Sequence, residues 1–255
     1  MYYRDDSLLP ENQAPLMITA APHVPMWMAQ GCTPLDATVA TRLAAPRPNI
    51  TAGRSVFTYT APLTGIPQGD SPELLNCSYT VMAEVELPEG GAEGMLLSSG
   101  GRFAGYGFYE LKGKPLFLWN LLGLKRIRWD GPDVLSPGKH TLEFDFKYEG
   151  LGAATLAFNN MSGIGRSGSG VLKVDGKEIS TQKMERTIPL ILQWDGTFDI
   201  GADTGTPVDD QDYQVPSAFT GKLNKLTVKI DRPQLTPTDI KKLDEEAQRN
   251  NKASE

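Results

Sequence analysis

From Val56 onward, apolar and polar residues alternate with a period of two. Tyr79, Val81, Ala83, Val85 and Leu87 share one parity, while Ser78, Thr80, Glu84 and Glu86 share the other, which predicts a strand with one buried face. Leu142, Phe144, Phe146 and Tyr148 repeat the pattern against Thr141, Glu143, Asp145 and Lys147, after a Pro137-Gly138 turn. Leu172 and Val174 lead into Asp175-Gly176, a dipeptide suited to a type I′ hairpin, and Ile179 begins the return strand. Phe198, Ile200 and Ala202 predict a short strand, and Leu226, Val228 and Ile230 a final one. Leu223 falls out of phase with that last strand, so a bulge is expected near Asn224.

Gly100–Trp129 departs from this half-buried pattern. It places Phe103, Tyr109 and Leu111 on one parity and Tyr106 and Phe108 on the other, around a tight Lys112-Gly113-Lys114 turn. A hairpin with bulk on both faces needs a covering element on its outer side. Roughly ten to twelve short strands at regular spacing predict an all-β fold, an antiparallel β-sandwich (jelly roll) of concanavalin/LamG-like type. Residues 1–33 show neither period and read as an irregular N-terminal arm. Residues 34–54 read as a linker with a short helix, which Asp36 can cap and Pro46 and Pro48 end. The sandwich is expected to span 55–232. Residues 233–255 are expected to form a short polar C-terminal helix and tail, with Thr236 or Thr238 as its cap and Ile240, Leu243 and Ala247 as a thin apolar stripe.

Composition narrows the partners. Twenty-six glycines and nineteen prolines suit turns between strands better than a helical bundle. A formal net charge of −6 opposes nucleic acid or an anionic membrane as the main partner, since both attract a positive field. No apolar run reaches the roughly 20 residues of a membrane-spanning helix, and no basic-then-apolar export signal is visible at the N-terminus. Cys32 and Cys77 are the two cysteines, enough for one bridge and too few for a disulfide framework. Asn49-Ile50-Thr51, Asn76-Cys77-Ser78 and Asn160-Met161-Ser162 match the glycosylation sequon, with no export signal to give them weight.

Three runs carry a family resemblance: GGRFAGYGFYELKGKPLFLWNLLGLKR from Gly100, PGKHTLEFDFKYEGLG at Pro137–Gly152, and MERTIPLILQWDGTFDIGADTGTPVDDQDY at Met184–Tyr213. Together they resemble the C-terminal β-sandwich of large bacterial arylsulfatases, over most of the chain from Pro34 to Arg232. The stretch Pro34–Arg54 is similar to the linker that follows the catalytic domain in such enzymes; the first thirty or so residues are not similar to the end of that domain. The resemblance implies a truncated or split sulfatase, or an excised domain, that packs against a catalytic domain or partner subunit, in a family whose members are periplasmic or cytoplasmic.

Sulfatases carry a C-x-P-S/A-R motif whose cysteine becomes formylglycine and attacks sulfur beside a divalent metal. Cys32-Thr33-Pro34-Leu35-Asp36 begins that motif and then fails, because Asp36 inverts the charge of the arginine that positions the modified residue. The chain has two histidines, His23 in the arm and His140 at the start of a strand, where an exposed imidazole is expected. Asp5-Asp6 reads as solvated terminal charge. Glu143, Asp145 and Glu149 share a parity that could seat a glycosidase acid and base. Their spacing misses E-x-D-x-E, and with Lys147 among them a salt-bridged solvated face is expected. The glycine-rich run Asn159–Gly170 lacks the Gly-Lys-Ser/Thr ending of a phosphate loop and reads as a sandwich loop.

Two places could bind a ligand. Asp203, Asp209, Asp210 and Asp212 gather in a turn rich in glycine, where hard oxygens could meet Ca²⁺; a solvated acidic turn is the plainer account. Lys112, Lys114, Arg126 and Arg128, with Lys125 between, accompany Trp119 and Trp129 and could hold a sulfated ligand by charge and ring contact. Against that, lysines on an edge strand also prevent unwanted pairing. The expected role is therefore a non-catalytic accessory domain of an arylsulfatase-like protein, requiring no cofactor. The alternative is a module binding carbohydrate or a sulfated small molecule, assisted by Ca²⁺ or not. The purified chain is expected not to hydrolyse an aryl sulfate; turnover abolished by mutating Cys32 would overturn that.

Overall fold

The computed structural model describes Thr51, residues 53–150, 165–188 and 195–231, and positions 236–238, 241 and 245, all within the unit Asn49–Glu255. The arm, the linker helix, Cys32, His23, Asp5-Asp6 and residues 159–164 of the glycine-rich run lie outside the described residues. At the C-terminal end, Pro237, Thr238, Lys241 and Glu245 are helical, at the place where the polar helix is expected.

The described residues form a β-sandwich of two sheets, antiparallel throughout except for one parallel pair. In order, the strands are β1 (Val56–Tyr59), β2 (Leu63–Ile66), β3 (Ser78–Leu87), β4 (Gly94–Gly100), β5 (Gly105–Leu111), β6 (Lys114–Leu121) and β7 (Lys125–Asp130). They continue as β8 (Gly138–Tyr148), β9 (Gly168–Val174), β10 (Lys177–Met184), β11 (Phe198–Ile200), β12 (Ala202–Asp203), β13 (Ser217–Ala218) and β14 (Lys222–Asp231). One sheet runs β1-β14-β3-β8-β9-β10; the other runs β12-β13-β4-β5-β6-β7, with β11 pairing both β4 and β2. The strands beyond the expected number are the shortest, such as β2, β12 and β13, which are too brief to display a period.

The first sheet follows its alternation. In β3 every second residue from Tyr79 to Leu87 is buried, and Leu142, Phe144 and Phe146 of β8 join the same core. Asp175 and Gly176 both take positive φ, 50° and 80°, as a type I′ turn requires. The pairing of β14 with β3 shifts register between Leu223 and Lys225, so the bulge lies at Asn224. The expected strand through Ala202 is divided at Gly201, where φ of 75° ends β11.

Glycine in β9 has a use that its loop-like composition conceals. A Cβ on Gly168 would lie 2.3 Å from the Phe146 ring, and one on Gly170 would lie 2.6 Å from the Trp129 indole. These glycines make room for aromatic rings, so the strand begins inside the run that reads as a loop.

The sheets lock together through those rings. Phe117 of β6 stacks on Phe144 of β8 with centroids 3.7 Å apart, and Trp129 meets Phe144 edge-on at 4.9 Å. Trp119 Nε1 donates to the Tyr79 hydroxyl at 2.8 Å, a buried polar link between the sheets. Tyr79→Phe leaves that indole N–H without its partner and is expected to cost about 1–2 kcal/mol in urea unfolding; no measurable loss would mean the link contributes nothing.

The outer side of the hairpin is covered as its two-sided bulk requires. Met95, Tyr109, Leu116 and Leu118 form a second buried cluster with Val208, and Tyr213 packs against it. The covering element is the acidic strap between β12 and β13. Phe103 is the departure: it lies in the β4–β5 loop, outside the strand's parity, and is exposed.

Candidate functional site

The strap brings the two candidate charge clusters together. Arg126 and Arg128 lie on β7, an edge strand, and their side chains meet the strap's aspartates from more than eighty residues away. Arg126 Nε is 3.3 Å from Asp209 Oδ2, and Arg128 Nη1 is 2.6 Å from Asp212 Oδ2 and 3.6 Å from Asp209 Oδ2. Arg128 also bonds Asp130 at 3.0 Å. Arg102, in the β4–β5 loop, grips Asp210 with two bonds of 2.7 and 2.6 Å. This bidentate geometry is the strong form of an arginine–carboxylate contact, and it holds the Asp210 carboxyl below its ordinary range. Partial burial works against the Arg128 charge, but Asp130 and Asp212 outweigh it and raise the guanidinium pKa.

Tyrosines complete the strap. The Tyr109 hydroxyl donates to Asp212, and the Tyr213 hydroxyl donates to Asp203. Burial pushes Asp203 up to about 6, with the Asp199 and Asp195 charges adding to the rise and the Tyr213 bond opposing it. Among the described residues, no three His, Cys, Asp or Glu side chains gather in an arrangement that could hold a metal ion. The aspartates Asp203, Asp209, Asp210 and Asp212 are thus placed among cations and hydroxyls, and their contacts secure the strap.

The remaining ligand candidates scatter. Trp119 and Trp129 are buried in the core, where Trp129 Nε1 donates to Gly170 O at 2.9 Å. Lys112 sits in the β5–β6 turn with φ of 52°, and Lys114 Nζ bonds Pro132 O at 2.6 Å. Lys112, Lys114, Arg126, Arg128 and the two indoles therefore do not converge on one surface. Trp119 and Trp129 show why: their positions share the core-facing parity of β6 and β7, whereas Arg126 and Arg128 have the opposite parity.

The carboxylates on the outer face of the first sheet are also engaged. Lys173 Nζ lies 2.9 Å from Glu143 and 3.9 Å from Asp145, Thr80 donates to Asp145 at 3.1 Å, and Lys183 lies 3.3 Å from Glu149. This is the salt-bridged face its composition predicts. His140 differs from the exposed imidazole expected: its side chain is mostly covered, between Asp175 Oδ2 at 2.7 Å and Ser136 O at 2.8 Å. Burial lowers its pKa, but two acceptors on its two ring nitrogens favour the imidazolium and raise it overall.

Two features were missed in the sequence. Glu110, on the core-facing parity of β5, is 1% exposed, and neither carboxyl oxygen has a hydrogen-bond partner. Burial pushes its pKa up to about 7, and the nearby His140 moderates the rise. The second feature is a cleft of about 400 Å³ between β1 and β2, the rim strands of the two sheets. Phe57, Leu63 and Ile66 supply apolar walls, while Arg54, Tyr59 and Asp70 supply polar ones. Its size falls within the roughly 300–1,000 Å³ of small-molecule sites. Three other clefts among the described residues, beside His140, Val134 and Pro115, have no phenylalanine, tyrosine or tryptophan in their walls. The two rim strands are four residues long, so their pattern could not announce the cleft.

No family model matches the chain, and no curated protein matches it. Solved structures do. The Ruminococcus gnavus IT-sialidase CBM40 bound to α2,3-sialyllactose is 14% identical, with 64% of this chain and 80% of that one covered and a TM-score of 0.40. Domains LG4–5 of the mouse laminin α1 chain are 15% identical, covering 71% of this chain and 40% of that fragment, at a TM-score of 0.37. A heptameric SAP-like pentraxin from Limulus polyphemus is 11% identical over 74% of each chain, at 0.34.

Proposed function

We propose that this chain is a non-catalytic β-sandwich that binds carbohydrate. The observation that carries this reading is the cleft between β1 and β2, where the aliphatic Leu63 and Ile66 and the half-buried Tyr59 ring stand beside Arg54 and Asp70. A saccharide ring offers an apolar face and a hydroxyl rim, and such a cleft meets both at once. The other conspicuous charges at the strap and on the outer sheet face are engaged with one another. Titrating the chain by calorimetry against a panel of neutral, carboxylated and sulfated saccharides tests the reading. Saturable binding of at least one, with Kd of about 1 mM or tighter, is expected; no heat from any of them would refute it. Trp119 and Trp129 are poor fluorescence reporters here, because both are in the core.

A second role, as the accessory domain of an arylsulfatase-like protein, draws on a different surface. Asn120 ties the β4–β5 loop to the β6–β7 loop, and from these two loops emerge Phe103, Leu122 and Leu124, the last 88% exposed. Neighbouring apolar loop residues suit a packed domain interface. A reading frame adjoining this one that encodes a sulfatase-type catalytic domain, and co-purification of the two products lost on Leu124→Ser, is the expected result. Failure of the two to associate would remove this role and leave carbohydrate binding untouched.

A further inference from the structure

We propose that the β1–β2 cleft is selective for a saccharide carrying one oxyanion, a sulfate ester or a carboxylate, held by the Arg54 guanidinium and the Tyr59 hydroxyl. The inference rests on the carbohydrate-binding reading and adds the ligand's charge and the groups that recognise it.

Arg54 is set apart from the arginines of the strap. Arg102, Arg126 and Arg128 each have a carboxylate within ion-pair distance, whereas the contact the structure shows for Arg54 is a ring. Its guanidinium carbon lies 5.0 Å from the centre of Phe57. A guanidinium lying over a ring keeps its N–H groups available to a planar or tetrahedral oxyanion. No described carboxylate competes for that edge.

Tyr59 supplies the second donor. It lies two positions after Phe57, packs against Phe198 at 5.9 Å and lines the cleft. Tyr59 and Arg54 line the same cleft, which places both beside a ligand held there; burial raises the Tyr59 pKa and the Arg54 charge opposes that rise. Leu63 and Ile66 then receive the body of the ring, while Phe57, 3% exposed beneath Arg54, backs the cleft from the core. Asp70, exposed on the cleft wall, is an acceptor for ring hydroxyls, and its charge opposes every anionic group in the cleft, so each one beyond that held by Arg54 is disfavoured. The net charge of −6 acts in the same direction at longer range. The site therefore favours a single anionic residue over a densely charged polymer.

Calorimetric titration with glucose, glucose 6-sulfate, glucuronate and inorganic sulfate distinguishes the sources of the oxyanion. The expected order puts one or both charged sugars at least tenfold tighter than glucose and than inorganic sulfate. Arg54→Gln is expected to reduce charged-sugar affinity at least tenfold and to erase the preference over glucose; Arg54→Lys is expected to retain part of it, and Tyr59→Phe to lose a few-fold. Arg54 is exposed, and an unchanged thermal transition shows that the variants are folded. Equal binding of glucose and the charged sugars, or charged-sugar binding indifferent to Arg54→Gln and Tyr59→Phe, would overturn the anion site while sparing the carbohydrate-binding reading. Inorganic sulfate binding as tightly as glucose 6-sulfate would overturn the role of the sugar ring. Absence of binding by every saccharide in the wider panel would remove both.

Discussion

Asn120→Ala is expected to lower the stability of the chain by about 3 kcal/mol and to loosen the strap over the outer face of the second sheet. Asn120 is fully buried, and its amide nitrogen lies 3.1 Å from Gly101 O, 2.8 Å from Arg102 O and 3.0 Å from Val208 O. Its carbonyl oxygen accepts from Gly123 N at 2.9 Å. One side chain thus joins the β4–β5 loop, the β6–β7 loop and the strap. Truncation leaves several buried backbone groups short of a partner at about 1–3 kcal/mol each, partly offset by relaxation. Urea unfolding gives the total. Hydrogen exchange should show faster exchange of the Val208 and Tyr213 amides than of β3 and β8. A loss under 1 kcal/mol, or acceleration spread evenly over both sheets, would show that Asn120 does not hold the strap.

The second large effect concerns pH. Glu110 has a folded pKa raised to about 7 against an ordinary 4.5, because its carboxyl is buried with both oxygens unpartnered. The folded state therefore binds the proton more tightly than the unfolded state. Stability from this group is fully present below about 4.5 and is lost as pH rises from there through about 7, by about 3 kcal/mol. Asp203, raised to about 6, and His140, raised by Asp175 and Ser136, slope the same way, so the test is the difference between variants. Glu110→Gln is expected to flatten the decline between pH 5 and 8. Glu110→Met, which replaces the buried carboxyl by an apolar chain, is expected to be more stable than the natural chain at pH 8. Parallel pH profiles for the natural chain and Glu110→Gln would show that Glu110 does not titrate in that range.

What alternation specifies was legible before folding. The inward residues of β3 and β8, the Asp175-Gly176 hairpin and the irregularity at Asn224 are all consequences of side chains projecting to opposite faces every second residue. The demand for a cover over the Gly100–Trp129 hairpin was legible for the same reason. Glu110 could have been found too: it continues the parity of Tyr106 and Phe108, and a carboxyl in that row is a buried one. Gly168 and Gly170 were not legible, because absence of a side chain reads as a loop until the rings that fill the space are known.

The candidate sites show where local pattern stops. Each considered without the other, Asp203, Asp209, Asp210 and Asp212 offer a metal site or, more plainly, a solvated acidic turn, and Arg126 and Arg128 offer an anion site or a charged strand edge. Chain folding puts them face to face, and charges that close act on each other first. Arg54 had no such partner brought to it, and its cleft exists through the meeting of two sheet edges. The sequence by itself determined the longer alternating strands, their buried faces and the Asp175-Gly176 turn, since these depend on neighbours a few residues away. The tertiary structure alone decided which of the described charges are neutralised and which aromatic rings are withdrawn into the core, because those outcomes depend on distances between residues remote in the chain.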